Sequence, residues 1–189
     1  EAAFNFEGVM CAIDILVKKK NKWYAFEVKG STRVKKPFVM DASLQHHVIT
    51  ESGLPLEDIS IIHLNNQYVR MGELEVNKLF KEESITEQVI ANKDFVEQKI
   101  AELKKLLKEK KEPVIEVGSH CSKPYECDFT NHCWTNVPAA LSEGEKYIDN
   151  KSIREFLNEW EYPLFFFDFE TVMPAIPEFD ISRPYQQIP

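Results

Sequence analysis

Residues 8–29, GVMCAIDILVKKKNKWYAFEVK, read as two adjacent strands. The first, over 9–17, is strongly apolar and is interrupted by Asp14. A charge in such a run costs free energy to bury without a partner, so Asp14 is more informative than an acid in a polar loop. The second strand covers 22–29. Successive side chains alternate faces, so Glu27 and Lys29 project from the same side. A hairpin through Lys18 and Lys22 brings Asp14 beside them. Two carboxylates converging with one ammonium can hold a divalent metal and position a water. Tyr24, Phe26 and Val28 share one face, expected to pack into the core, and Trp23, Ala25, Glu27 and Lys29 share the other. Cys11 lies an odd number of positions from Asp14, which assigns it to the opposite face as a core cysteine.

Outward from this hairpin, residues 1–6 read as a short strand and Glu7–Gly8 as a turn. Residues 30–37 read as a polar loop. A helix over 41–52 closes at Gly53, with Pro55 beyond it. Leu44 and Val48 mark one face of that helix. Asp41, Gln45 and Ile49 form a neighbouring stripe at i, i+4 spacing. Residues 59–64, ISIIHL, read as a buried strand in which His63 is structural. A hairpin partner is expected over 67–71. A short helix over 74–80 and a long amphipathic helix or helix pair over 85–111 follow. Residues 138–147 read as a linker, and 152–160 as a helix with Ser152 as N-cap and Glu155 at the capping-box position. A very apolar strand is expected over 164–169.

The chain has 189 residues, 43% hydrophobic and 29% charged, which describes a folded protein and not a disordered one. It begins at Glu1 and ends in a Pro-rich segment, and reads as part of a longer protein whose remainder is missing. No run reaches the ~20 apolar residues of a membrane helix, and no secretory signal is present, so the expected place is the cytoplasm, without a membrane partner. The net charge of -8 argues against a nucleic-acid partner as a whole-molecule sum. Locally the basic residues are dense: Lys18, Lys19, Lys20 and Lys22, then Lys29, Arg33, Lys35 and Lys36 bracket the proposed site.

Three of the four cysteines, Cys121, Cys127 and Cys133, fall in a C-x5-C-x5-C run, and the fourth is Cys11. A cluster without a signal peptide favours bound metal over disulfides. Thiolates suit iron–sulfur and zinc alike. Four ligands are needed, and His120 or His132 would make a Cys3His zinc site.

GVMCAIDIL, YAFEVKG and DASLQHHV together resemble the PD-(D/E)XK nuclease superfamily, in particular its RecB-like branch. The likeness covers about residues 1–71. It implies a mixed central sheet flanked by helices, with Asp14 and Glu27 as ligands of Mg2+ or Mn2+, Lys29 as catalytic, and Gln45 as the helix glutamine that orients the site. Two features depart from the pattern. Ile49 stands where an aromatic residue usually follows the glutamine by four positions, and the helix that precedes the first strand is not in the chain. The cysteine run CSKPYECDFTNHC, with Pro124, Tyr125 and Trp134, looks like the terminal 4Fe–4S cluster of the CRISPR-associated and AddB-type relatives, in which the remaining ligand lies far upstream.

FFFDFET places Asp168 and Glu170 on one strand face. This resembles the first motif of DEDD exonucleases with an RNase H-like fold, which implies that both acids are metal ligands there. Such a site needs further acids from downstream, and 19 residues follow Glu170. The order of RecB-like region, cysteine cluster and FFFDFET resembles bacterial proteins whose C-terminal half is a domain of unknown function with RNase H-like character.

The expected fold is therefore α/β: a restriction-endonuclease-like mixed sheet flanked by helices over 1–117, a cysteine-rich metal-binding segment over 118–137, and the truncated start of an RNase H-like domain over 151–189. The expected function is metal-dependent hydrolysis of DNA, in repair or defence against mobile elements. The competing reading is a non-catalytic nucleic-acid-binding or scaffold module that supports a downstream exonuclease-like domain. The trio Asp14, Glu27 and Lys29 favours the nuclease; the acidic net charge and Ile49 favour the module.

Overall fold

The structure, a computed structural model, describes residues 1–136, 149–161, 163–165, 168 and 170–189. It divides into two compact units, Glu1–Glu109 with Glu170–Pro189, and Lys110–Phe169. The chain is α/β, with a mixed four-stranded sheet and a two-stranded sheet flanked by helices. No described helix is long and apolar enough to cross a membrane.

In the first unit, β1 (Ala2–Phe6) and β2 (Val9–Ile13) form an antiparallel hairpin. The chain leaves that hairpin at Asp14 and enters β3 (Ile15–Lys19), which pairs with β4 (Lys22–Lys29). Lys20 and Asn21 turn with φ of 48° and 65°. Two consecutive positive φ values match the twist of the flanking strands, and asparagine tolerates that conformation. Helix α1 (Lys36–Glu51) then crosses to β5 (Leu56–Leu64), which lies parallel to β4. A parallel pair requires such a crossover, and the crossover helix must lie over one face of the sheet.

That covered face is the one carrying Ala25 and Glu27. Ile13, Ala25, Ile59 and Ile61 meet Ala42 and Ile49 of α1 there, together with Ile85 and Val89. The expected sidedness holds only in part: of the row assigned to the core, Phe26 is buried at 7% exposure but Val28 is 41% exposed, and α1 covers the other row. The row with the larger side chains is not the row under the helix. Small Ala25 and Ala42 let α1 approach the sheet closely, and both are fully buried. The helix also starts earlier than 41, because Pro37 sits in its first turn, where the missing N–H costs nothing.

The antiparallel partner of β5 is β6 (Phe80–Ser84), and not residues 67–71. Every residue of β6 is exposed, so FKEES carries no apolar alternation. Its register is fixed instead through Asp58, whose carboxylate accepts from Ser60 at 2.6 Å, from Thr86 at 2.7 Å and from Ser84. The short α2 (Val76–Leu79) precedes β6. Residues 85–111 form two helices, α3 (Thr86–Ala91) and α4 (Lys93–Leu106), that meet at Asn92.

Burial pushes the Asp58 carboxyl up, but the hydroxyl bonds from Ser60, Ser84 and Thr86 outweigh it and hold the pKa below the ordinary value. The stabilisation from a depressed carboxyl is present above its unfolded pKa, near 4, and is lost as pH falls through the folded one. Asp58→Asn should therefore lower the thermal midpoint at pH 7 and flatten its fall below about pH 4, as a pH series of melting curves would show.

Residues 170–189 close onto this unit. Arg70 donates from Nη1 to the carbonyls of Pro177 at 3.0 Å and Glu178 at 2.9 Å, and Gly72 N–H donates to Asp180 at 2.7 Å. Hydrogen bonds from a charged donor contribute about 1.5–3 kcal/mol each. Arg70→Ala should release this segment, seen as faster chymotrypsin cleavage at Phe179 and Tyr185 with little change in the core melting transition.

In the second unit, three residues of 3-10 helix end at Cys121, α5 (Thr130–Cys133) follows, and α6 (Asn150–Asn158) comes after the linker region. Asp149, and not Ser152, is the N-cap of α6, accepting from the N–H groups of Lys151 and Ser152. The linker expected over 138–147 lies outside the described residues. So do Phe166, Phe167 and Phe169 of the strand expected over 164–169; the described Leu164, Phe165 and Asp168 carry no regular structure.

Candidate functional site

Asp14, Glu27, Lys29 and Gln45 converge at the margin of the α1-covered face. The β3–β4 register pairs Ile15 with Phe26, so one residue further Asp14 opposes Glu27. Asp14 sits where the chain changes sheets, and its Oδ2 accepts the N–H of Val28 at 2.8 Å. That bond pins the carboxylate to β4 and leaves its other oxygen without a partner among the described residues.

Glu27 is only 7% exposed. A carboxylate so placed needs partners on both oxygens. Oε1 accepts from Lys29 Nζ at 2.8 Å, and Oε2 accepts from Gln45 Nε2 at 3.1 Å. Gln45 also donates to the Ala12 carbonyl at 3.2 Å, which fixes the direction of its amide. Its Oε1 is consequently a buried acceptor with no hydrogen-bond partner.

Lys29 makes a second ion pair, with Asp41 Oδ2 at 2.8 Å. Burial disfavours its charge, but the bonds to Asp41 and Glu27 outweigh burial and hold the ammonium above the ordinary lysine pKa. Phe38 lies under the same ammonium, 5.7 Å from it to the ring centre. Asp41 was missing from the expected site, although its i, i+4 spacing from Gln45 placed it on the same helical stripe. Ile49, next on that stripe, is fully buried in the core and does not reach the carboxylates.

Cys11 packs against the core, its thiol 3.9 Å from the Gln45 carbonyl, and burial raises its pKa. His63 is buried, with Nδ1 2.9 Å from the Leu64 carbonyl and Nε2 3.3 Å from Glu83.

A second titratable group lies at the C-terminal end of α1. His47, Glu51 and Glu97 bring ligand atoms within 4.8 Å of one another. Lys93 lies 4.0 Å from Glu51 and 3.6 Å from Glu97, so an ammonium already pairs with both carboxylates.

In the second unit, Cys127 N–H donates to the Cys121 carbonyl at 2.8 Å, and Cys133 closes α5. All three thiols are free. His132 Nε2 is taken up by Glu112 at 3.0 Å, whereas His120 has no such partner among the described residues. Trp134 carries a buried indole N–H without an acceptor. Asp168 and Glu170 are both exposed, and the division between the two units falls between them.

Residues 165–189 match the family model described as Domain of unknown function (DUF2779). No curated protein and no solved structure matches the chain.

Proposed function

We propose that this chain is the nuclease part of a cytoplasmic PD-(D/E)XK enzyme of the RecB-like kind, hydrolysing DNA with Mg2+ or Mn2+. The observation that carries the reading is Glu27: a nearly buried carboxylate opposite Asp14, held by one ammonium and one amide. A buried charge given two dedicated partners is costly for a strand that only has to fold.

The residues fit a divalent ion. Asp14 keeps one free oxygen, and the unpartnered Gln45 Oε1 is an acceptor in want of a water or a hydrated ion. Asp14 and Glu27 would hold the ion, and the Val28 carbonyl is a possible third oxygen. The bound ion would supply charge neutralisation at phosphorus and a water of lowered pKa. Lys29 can move off Glu27 because Asp41 remains as its partner. Paired with Asp41, it would present its charge to the developing negative charge on the phosphate. Gln45 fixes the orientation of Glu27.

For the second unit we propose an iron–sulfur cluster on Cys121, Cys127 and Cys133, with a structural role; Zn2+ is the alternative occupant. Three free thiols within one short segment and the unpartnered indole N–H of Trp134 support a sulfur-rich occupant, since N–H donors to the sulfurs tune such clusters. For Asp168 and Glu170 we propose metal ligation only once the acids of a downstream RNase H-like domain are present.

One observation favours the module reading. Both oxygens of Glu27 are already satisfied within the chain, which a purely structural network would also achieve. Incubation of single- and double-stranded DNA with Mg2+ or Mn2+ separates the two. Cleavage by the wild type should fall by about 100-fold or more in Lys29→Ala, the scale of losing one charge-stabilising donor. Equal cleavage by both proteins removes this site from the enzyme. DNA binding without cleavage by either supports the module.

A further inference from the structure

The C-terminal ends of β4 and β5, the parallel pair of the sheet, open into a crevice of about 430 Å³. Open α/β sheets bind their ligands in crevices outside the carboxyl ends of parallel strands. This one is lined by residues 30–33 of the loop after β4, by Lys35, by Asn66 after β5, and by Tyr185 from the C-terminal segment. Its lining begins one residue after Lys29.

The charge of the lining is not spent within the protein. Lys22, Lys78, Lys99 and Lys104 each lie within ion-pair distance of a carboxylate. Among the described residues, neither Arg33 nor Lys35 does. Two uncompensated cations on one crevice, in a chain of net charge -8, mark it for an anion.

Tyr185 is built into the crevice by two constraints. Its hydroxyl donates to the Gly30 carbonyl at 3.0 Å, and a Cβ at position 30 would come within 3.4 Å of that oxygen. Its own φ is +56°, a conformation uncommon for an aromatic residue. Strain of this kind persists where the surroundings demand one position for a side chain, and it concentrates at ligand-binding sites.

We propose that this crevice binds a backbone phosphate of a nucleic-acid strand, next to the phosphate presented to Asp14, Glu27 and Lys29, with Arg33 and Lys35 as its cations and Tyr185 as one wall. The choice of nucleic acid as the anion rests on the nuclease reading; the cationic crevice rests on its own lining. Tyr185, within the segment that matches the domain of unknown function, thereby contributes a side chain to the substrate path of the unit that holds them both.

The test measures fluorescence anisotropy of a labelled oligodeoxythymidine of about 12 nucleotides, within the reach of common single-strand sites, without divalent ions. The full chain is compared with Arg33→Ala/Lys35→Ala, with Tyr185→Ala and, as a control for general charge, with Lys105→Ala/Lys108→Ala, both exposed and outside the basic run around the site. All four are checked by thermal melting. The first double variant should bind about tenfold more weakly or worse, with the slope of log K against log salt reduced by about one. Tyr185→Ala should weaken binding, and the Lys105/Lys108 control should bind close to wild type. Wild-type binding by Arg33→Ala/Lys35→Ala overturns the proposal, and so does an equal loss in the control. Cleavage assays on the same proteins separate this from the nuclease reading. A chain that cleaves through Lys29, with crevice variants that bind and cleave normally, keeps the nuclease and loses the crevice. A chain that never cleaves, yet loses the oligonucleotide in Arg33→Ala/Lys35→Ala, does the reverse.

Discussion

Glu27→Gln should reduce DNA cleavage by about a thousandfold or more while leaving the protein folded, a loss somewhat beyond that of a single stabilising donor. The substitution keeps volume and shape and removes one charge. In the wild type both oxygens of Glu27 are acceptors, facing Lys29 on one side and the amide nitrogen of Gln45 on the other. A glutamine side chain offers one acceptor and one NH2 group. If its oxygen faces Gln45, its NH2 group confronts the Lys29 ammonium. If its oxygen faces Lys29, its NH2 group confronts Gln45 Nε2. Gln45 cannot turn over to accept it without losing its bond to the Ala12 carbonyl. One buried contact is therefore lost in either arrangement, at a cost of about 1–3 kcal/mol. Lys29 retains Asp41, so no buried cation is left alone.

A modest fall in melting temperature with near-complete loss of cleavage is thus the signature of a catalytic carboxylate. A purely structural Glu27 predicts the same modest fall with DNA binding unchanged and no cleavage in either protein. Retention of wild-type cleavage by Glu27→Gln would sink the assignment of this residue as a metal ligand.

Two periodic rules bear on the site, while Asp14 stands out as a charge in an apolar run and Gln45 enters through the resemblance of its helix. Period two places Glu27 and Lys29 on one face of a strand, and i, i+4 spacing places Gln45 on the same stripe as Asp41. Neither rule says which face of the sheet a helix will cover. The bulk of Tyr24 and Phe26 points to one side, whereas the burial of Glu27 under α1 depends on how small Ala25 and Ala42 are. Phe26 is buried as its bulk suggests, but the helix takes the other face, because a crossover helix needs close approach more than it needs large partners.

β6 was illegible for a different reason. FKEES is charged and exposed, and its place beside β5 comes from backbone pairing and the three hydroxyls gathered by Asp58. The bond of Tyr185 to Gly30 joins positions 155 residues apart, a separation over which neither rule carries any signal.

Cys127→Ser should empty the cysteine segment of iron, and the second unit should lose its protease resistance with it. None of the residues from Lys110 to Thr135 is buried, so this stretch has no apolar core. Segments of this size without a core depend on a staple, and a metal centre supplies one by binding only the folded form. Three thiols spaced by five residues give the staple three points of attachment, at the end of one short helical turn, in the turn after it and at the end of α5. Removing one leaves too few thiolates to hold a cluster. An anaerobic preparation of the wild type should therefore carry about four irons per chain, the content of one [4Fe–4S] centre, and Cys127→Ser close to none. Proteolysis should then accelerate within 110–136, while the melting transition of the first unit, whose core lies in Ile13, Ala25, Ile59 and Ile61, stays in place. A wild-type preparation with one zinc and no iron would reject the cluster and keep the staple. Iron bound equally by wild type and Cys127→Ser would place the metal elsewhere in the chain.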